Sequence, residues 1–428
     1  MSERYRKSEE MLLRALRTIP LGTQTFSKSQ TQYPHGVSPY YLSRGSGSHV
    51  WDVDDNEYVD FIMSLCAVTL GYNDPDVTAA VQSQLADGVI FSLPHPVEVE
   101  ASERIVEMVP CAELVRFGKN GSDATTGAVR VSRAFTGRDH VLMCGYHGWQ
   151  DWSIGTTVRN AGVPKATRAL THTFAYNDID SLRALFAEYR DEVACVIMEP
   201  MNVTIPFPGY LEEVAELTRA NGAVFIFDET ITGFRFANGG AQEYFGVTPD
   251  LATFGKGLAN GYPVSAVAGR ADIMKYMEEV FFSFTFGGET LSLAAAVAAM
   301  DKLRREPVVD RIAEQGRKVI DGVRALIDSV GCAEFLTVSG HPAWSFLLMC
   351  DAGKASSWDL KTVFEQELFA RGLLGYGTHN MCYAHGDAEI EALLAAYTDI
   401  FPLLRQATED GTAELLSCQP LQPLFKVR

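Results

Sequence analysis

From about residue 74 onward, short apolar runs alternate with longer amphipathic stretches, and that alternation leaves the chain few architectures. The runs predicted as strands are Val115–Phe117, Val141–Cys144, Cys195–Glu199, Ala223–Asp228, Leu251–Phe254 and Val264–Ala268. Helical stretches lie between several of them, among them Ala124–Phe135, Ile179–Glu188 and Tyr210–Ala220. Strands separated by helices pair in parallel, and a parallel sheet is covered on both faces. The pattern therefore predicts a large α/β domain on a mostly parallel sheet. After Pro307 a helix runs to about Val330, and a different mix of strands and helices follows. At the other end, residues 1–18 read as an amphipathic helix ending near Pro20, and 41–62 as two short strands around the turn Asp54–Asp55–Asn56. The expected division is an N-terminal segment (1–65) of a smaller α+β domain, a large domain (66–318), and the remainder of the small domain (319–428).

Composition narrows the partners. With 428 residues and 47% hydrophobic content the chain can bury a large core in two or three domains. A net charge of −18 argues against nucleic acid or an anionic membrane surface as partner. The eight cysteines form no CxxC pair and no metal-like spacing with histidine, so neither disulfides nor a metal are expected. The opening "MSERYRKSEEMLLRALRTIP" lacks the apolar core of a signal peptide, and no run approaches a membrane span. A cytoplasmic protein acting on small molecules is expected.

Ligands of such sheets sit at the carboxyl ends of the strands, where every suggestive residue of this chain falls. In "FGKNGSDATTGAVRVSRAFTG" (117–137), Gly121 and Ser122 lie between a strand and a helix predicted to begin near Asp123, with Ser122 as its N-cap. Free N–H groups there can hold a phosphate, although a well-capped helix alone explains the same residues. In "CGYHGWQDW" (144–152), Tyr146 can lie flat on a planar ring. His147 reads either as an acid–base group or, more simply, as a hydrogen-bonded structural histidine, and Trp149 and Trp152 are expected to line or cover the pocket. In "AVFIFDETITGFR" (223–235) a strand delivers Asp228 to its end, followed by Glu229. A metal needs further ligands that the sequence does not nominate, whereas a carboxylate beside a pyridinium nitrogen keeps that nitrogen protonated. Lys256, in "DLATFGKGLANGYPVSAVAGR" (250–270), stands in a glycine-rich turn just past the next strand. An isolated lysine there is a surface residue; in this company it is an amine placed to form a Schiff base. Phosphate cradle, flat aromatic, strand-end aspartate and cleft lysine together describe a pyridoxal phosphate site.

These motifs, in this order and at these intervals, resemble the class III (omega-type) aminotransferases among the fold-type I pyridoxal phosphate enzymes, and within them the glutamate-1-semialdehyde 2,1-aminomutases. The resemblance runs from "IPLGTQTF" (19–26) into the C-terminal domain and is most specific in "DETITGFRFANGGAQEYFGVTPDLATFGKG" (228–257). It implies the fold-type I architecture and pyridoxal 5′-phosphate, with Lys256 in Schiff-base linkage to the cofactor and Asp228 on the pyridine nitrogen. It makes Gly121 and Ser122 phosphate ligands and Tyr146 the ring stacked on the cofactor. In "FTFGGETLSLAAA" (284–296) it makes Thr285 a ligand of the neighbouring subunit's phosphate, and so implies a homodimer with shared active sites. In "IMEPMN" (197–202), Asn202 stands where the aminotransferases usually carry a glutamine bonded to the cofactor's phenolic oxygen, and Glu199 faces the substrate.

The departures separate subfamilies. Lys28, in "FSKSQ", stands where the aminomutases clamp a substrate carboxylate with arginine, and lysine cannot form the bidentate fork. With Asn202 and the unusual tail of "FGGET", this favours transamination from an amino donor such as glutamate, and the acidic, tryptophan-bearing surroundings suit a polar carbonyl acceptor such as a keto or aldehydo sugar. An aminomutase is the alternative. A non-catalytic scaffold is disfavoured by the presence of both Lys256 and Asp228.

Overall fold

The computed structural model describes residues 3–422, which separate into two compact units. One unit takes the chain up to Leu65, Thr69–Asp74 and the residues from Asp310 on; the other takes Cys66–Val68 and Pro75–Val309.

The second unit is built on a seven-stranded sheet: β1 (Leu114–Gly118), β2 (His140–Cys144), β3 (Thr171–Thr173), β4 (Val193–Met198), β5 (Val224–Asp228), β6 (Leu251–Phe254) and β7 (Ser265–Gly269), in the order β1-β7-β6-β5-β4-β2-β3. Strands β6 through β3 pair in parallel, and β7 alone runs antiparallel to both its neighbours. The inner strands are apolar without interruption because both faces are covered. In β4, "VACVIM", every residue is buried, and so is every residue of β5 and β7. The pleat divides them between two cores. Val141, Met143, Cys195, Ile197, Val224 and Ile226 pack with the helix Gly121–Thr136, whereas Leu142, Val196, Met198, Phe225 and Phe227 pack with the helices Ile179–Glu188 and Tyr210–Ala220. By the same alternation, Asp228 continues the Val224–Ile226 row on the face of the helix Gly121–Thr136.

The chain is thus an α/β protein, and its strands fall where the apolar runs predict them, to within a residue or two at the ends. The three-residue strand β3 is too short to leave a pattern in the sequence.

The first unit is α+β. It holds a four-stranded sheet, Leu42–Ser46, His49–Asp52, Glu57–Asp60 and Leu373–Leu374, and a three-stranded antiparallel sheet, Leu336–His341, Trp344–Met349 and Thr378–Asn380. The helices Arg6–Ala15, Ser357–Ala370 and Asp387–Asp410 belong to this unit. No helix among the described residues is long and apolar enough to cross a membrane.

Candidate active site

Asp228 ends β5 and is buried. Its Oδ1 accepts hydrogen bonds from the Thr230 amide (3.1 Å), the Thr230 hydroxyl (2.6 Å) and the Thr253 hydroxyl (3.1 Å). Its Oδ2 lies 2.8 Å from Nδ1 of His147. The other ring nitrogen of His147, Nε2, is 3.1 Å from the Cys144 carbonyl, so both ring nitrogens face oxygen atoms. Burial pushes the Asp228 carboxyl up, but His147, by hydrogen bond and by charge, and the two Thr230 donors outweigh it and hold the group below its ordinary value. Asp228 is a buried, ionised acceptor whose Oδ2 has capacity for one more donor.

Thr230 joins this carboxylate to the neighbouring strand ends. A side chain at Gly121 would meet Thr230 Cγ2 at 3.1 Å, and one at Gly255 would meet the same methyl at 3.4 Å. Gly121 opens the helix Gly121–Thr136, and Gly255 directly precedes Lys256. Lys256 is half-buried and begins the short 3-10 turn Lys256–Ala259 with φ +43°, a left-handed value that costs a residue with a Cβ.

The helix start corrects one detail. Its N-cap is Asn120, not Ser122: Asn120 accepts from the Asp123 amide, and the Asp123 carboxylate turns back onto the amides of Lys119 and Asn120, 3.0 Å from each. The acidic side chain is thereby tied to the cap, and the first-turn amides of Gly121 and Ser122 have no carbonyl one turn earlier to bond. Ser122 Oγ accepts from the Trp149 amide at 3.3 Å, which leaves its proton to donate. A side chain at Gly148 would fall 2.3 Å from that oxygen, so the loop carrying Tyr146 and His147 packs directly on the helix start. Glu199, buried just past β4, lies beside the same loop: a Cβ at Gly145 would meet its Oε2 at 2.9 Å.

The structure therefore gathers Asp228, Gly121, Ser122, the turn of Lys256, and the Tyr146 loop with Glu199. Asn202 is half-buried and its Oδ1 accepts from the Thr204 amide at 3.0 Å, closing its own turn. Thr285 is exposed on the loop before the helix Thr290–Arg305. Lys28 belongs to the first unit, where it lines a cavity of about 280 Å³. The structure also places His147, the two tryptophans and Glu229. His147 is the direct partner of Asp228, a role that only the fold discloses. Trp152 is a core residue with its indole N–H on Thr126 (2.9 Å), while Trp149 is 65% exposed. Glu229 is spent within the fold, accepting from the amides of Ala241 and Gln242 and from the Thr232 hydroxyl.

Residues 32–334 match the family model "Aminotransferase class-III". The chain is 32% identical over 420 residues to a 3-aminobutyryl-CoA aminotransferase of Cloacimonas acidaminovorans (strain Evry), covering 94% of this chain and 100% of that protein. Among solved structures it resembles the FumI protein of Sphingopyxis sp. MTA144 in its pyridoxal phosphate internal aldimine form, with TM-score 0.88, 25% identity and 97% and 99% of the two chains covered. It also resembles an omega-transaminase from Sphaerobacter thermophilus, with TM-score 0.84, 29% identity and 94% and 100% covered. The chain belongs to the class III aminotransferases. It is a fold-type I, pyridoxal phosphate-dependent transaminase. The residues present suit that cofactor: a dianionic phosphate matches the unspent amides at a helix start, and a protonated ring nitrogen matches the buried, ionised Asp228.

Proposed function

We propose that this transaminase moves an amino group from an amino-acid donor such as glutamate to a polar carbonyl acceptor, a keto or aldehydo sugar, with Lys256 and Asp228 as its catalytic residues. Thr230 carries the assignment, since it holds Asp228 Oδ1 while its methyl packs on both Gly121 and the glycine before Lys256. When bound, pyridoxal phosphate supplies a carbonyl carbon that takes up the amino group and a cationic ring that withdraws electrons from the reacting carbon. Gly121 and Ser122 hold its phosphate with their amides and the Ser122 hydroxyl, at the positive end of a 16-residue helix. Asp228, oriented by His147, accepts the ring N–H at Oδ2 and keeps that proton in place. Tyr146 lies against the ring face, and Asn202 donates to the phenolic oxygen. Lys256 Nζ, as a neutral amine, removes the proton from the substrate carbon that bears nitrogen and later returns one. Glu199 and Lys28 contact the substrate.

The active unit in this reading is a homodimer in which Thr285 of each protomer reaches the phosphate in its partner. In its support, Phe281, Phe284 and Phe286 are exposed beside Val89, Ile90, Phe91 and Leu93; the two segments adjoin where Thr290 bonds the carbonyls of Gly88 and Val89. Apolar surface on this scale marks an interface. A cytoplasmic location is supported by eight cysteines that form no disulfide in the structure.

Borohydride reduction of the yellow holoenzyme followed by peptide mapping is expected to find the cofactor on Lys256, and an adduct on any other lysine overturns the site. Glutamate carrying labelled nitrogen is expected to leave a stable aminated enzyme after free product is removed, and the label then passes to a separate acceptor. Label that moves only between carbons of glutamate-1-semialdehyde establishes the aminomutase instead.

A further inference from the structure

Three donors converge on one oxygen of Asp228, and local structure brings each of them there. Thr253 is the parallel partner of Asp228 in the pairing of β6 with β5, so the two side chains leave the sheet on the same face. Thr253 is fully buried, and its hydroxyl reaches Oδ1 at 3.1 Å. Thr230 lies two residues beyond Asp228, where an aspartate side chain closes a turn by taking the amide of the second residue along. That amide meets Oδ1 at 3.1 Å and the Thr230 hydroxyl meets it at 2.6 Å.

An ionised carboxylate only accepts, so each threonine hydroxyl spends its single proton on Asp228. The Thr230 contact has the length of an O–H bond to an ionised acceptor, about 2.5–2.7 Å, whereas the Thr253 contact is longer and weaker. One carboxylate oxygen offers two lone pairs, and three donors already share those of Oδ1. Oδ2, which faces Nδ1 of His147 at 2.8 Å, is the oxygen left to accept a further donor.

This loading sets basicity as well as direction. Each hydrogen bond to the charged form of a carboxylate makes it a weaker base, whereas burial without donors makes it a stronger one. A proton shared between a carboxylate and a pyridine nitrogen rests on the stronger base of the two. A buried carboxylate with few donors would draw that proton onto oxygen, and a neutral ring withdraws electrons poorly. With Oδ1 filled, the proton is left on nitrogen. We propose that Thr230 and Thr253 are positioning residues whose hydroxyls, by filling Oδ1, keep Asp228 a weaker base than the ring nitrogen it faces. The inference rests on the pairing of Asp228 with the cofactor ring proposed above, and extends it to the residues that fix where the shared proton lies.

The choice of variants follows from the geometry. Valine at position 230 would set a methyl where the hydroxyl stands, 2.6 Å from Oδ1, and push the carboxylate aside. Alanine removes the donor without that clash, and serine restores the donor without the threonine methyl. The holoenzyme is loaded with pyridoxal phosphate carrying nitrogen-15 in its ring, and the chemical shift of that nitrogen is read at neutral pH. The wild-type shift is expected to be that of a protonated ring. In Thr230→Ala it is expected to move toward the value of unprotonated pyridine, in Thr253→Ala to move the same way by less, and in Thr230→Ser to return to the wild-type position. The first half-transfer from glutamate is expected to slow about tenfold in Thr230→Ala and to recover in Thr230→Ser. Should Thr230→Ala fail to take up the cofactor, Thr253→Ala against Thr253→Ser puts the same question from the neighbouring strand. A shift unmoved in the alanine variant overturns the inference and leaves the pairing of Asp228 with the ring intact. A shift that moves as far in the serine variant as in the alanine variant assigns the effect to the methyl and overturns the role of the hydroxyl. A wild-type ring that is itself unprotonated overturns the pairing of Asp228 with the ring, and this inference with it.

Discussion

Asp228 and Glu365 are both buried carboxyls, 5% and 0% exposed, and they end in opposite charge states. Asp228 is met by three donors on Oδ1 and by His147 on Oδ2, and its carboxyl is held below the ordinary range. Glu365, on the helix Ser357–Ala370 of the other unit, has no hydrogen bond to either oxygen. Burial dominates there and pushes it up to about 8, against the pull of the Lys361 ammonium 3.5 Å away. Burial alone therefore does not decide the charge of a carboxyl; the count of donors aimed at it does. A site that must keep a cationic ring nitrogen protonated requires the first arrangement, and the second belongs to a helix packed for other reasons.

The sharpest way to break this comparison is to remove the charge of Asp228 while keeping its shape. Asp228→Asn is expected to lower kcat by three orders of magnitude or more, with a much smaller loss of cofactor affinity, because the phosphate contacts proposed for Gly121 and Ser122 do not depend on that charge. Rapid-mixing measurement of the first half-transfer from glutamate checks it. An asparagine variant turning over near the wild-type rate removes the electronic role given to Asp228.

A smaller effect is expected one step outward. His147 is the strongest of the influences that lower the Asp228 carboxyl, so His147→Asn is expected to cost about a hundredfold in kcat. The pH profile carries the sign. Without His147 the folded-state value of Asp228 rises, protonation begins at higher pH, and the acid limb of kcat moves upward. A variant that loses rate with its acid limb unmoved assigns His147 to packing alone.

That partnership marks where the sequence stops being legible. The strands could be read because β4 and β5 are buried on both faces and carry no polar residue before their ends. Asp228 and Lys256 stood out for a related reason: Asp228 follows directly on an apolar run and Lys256 follows one with only Gly255 between, where a charge is conspicuous. His147 sits 81 residues from Asp228 in a loop, and nothing local separates it from a structural histidine. Glu229, adjacent to Asp228, looks equally catalytic in sequence and is consumed in capping a helix opened by Ala241. The turn Met63–Cys66 is the least legible feature, since left-handed backbone is read from glycine or asparagine and "MSLC" contains neither. Its conformation is imposed by Asp60 and Asn380, which are 320 positions apart in the chain.

The other side of the comparison is expected to show in stability and not in rate. Glu365 binds its proton up to about pH 8 when folded, whereas an unfolded glutamate releases it near pH 4.3. Between those values the native state holds the extra proton, so the free energy of unfolding falls as pH rises, by up to about 1.4 kcal/mol per unit, and stops falling above about pH 8. The sign is opposite to that of Asp228, whose depressed value adds stability above the unfolded carboxylate range and loses it as pH drops through the folded value. The groups around Glu365 do not relieve the penalty: Tyr33 and Cys418 are raised chiefly by their own burial and only secondarily by Glu365, and Lys361 also lies over the rings of Trp358 and Tyr376. Glu365→Gln keeps the volume and removes the titration. Its thermal midpoint is expected to stay close to wild type near pH 5, to pull ahead progressively toward pH 8, and to keep a constant lead above that. Two curves that stay parallel from pH 5 to 9 would mean that Glu365 is ionised in the folded protein after all, and the contrast with Asp228 would then reduce to one of position.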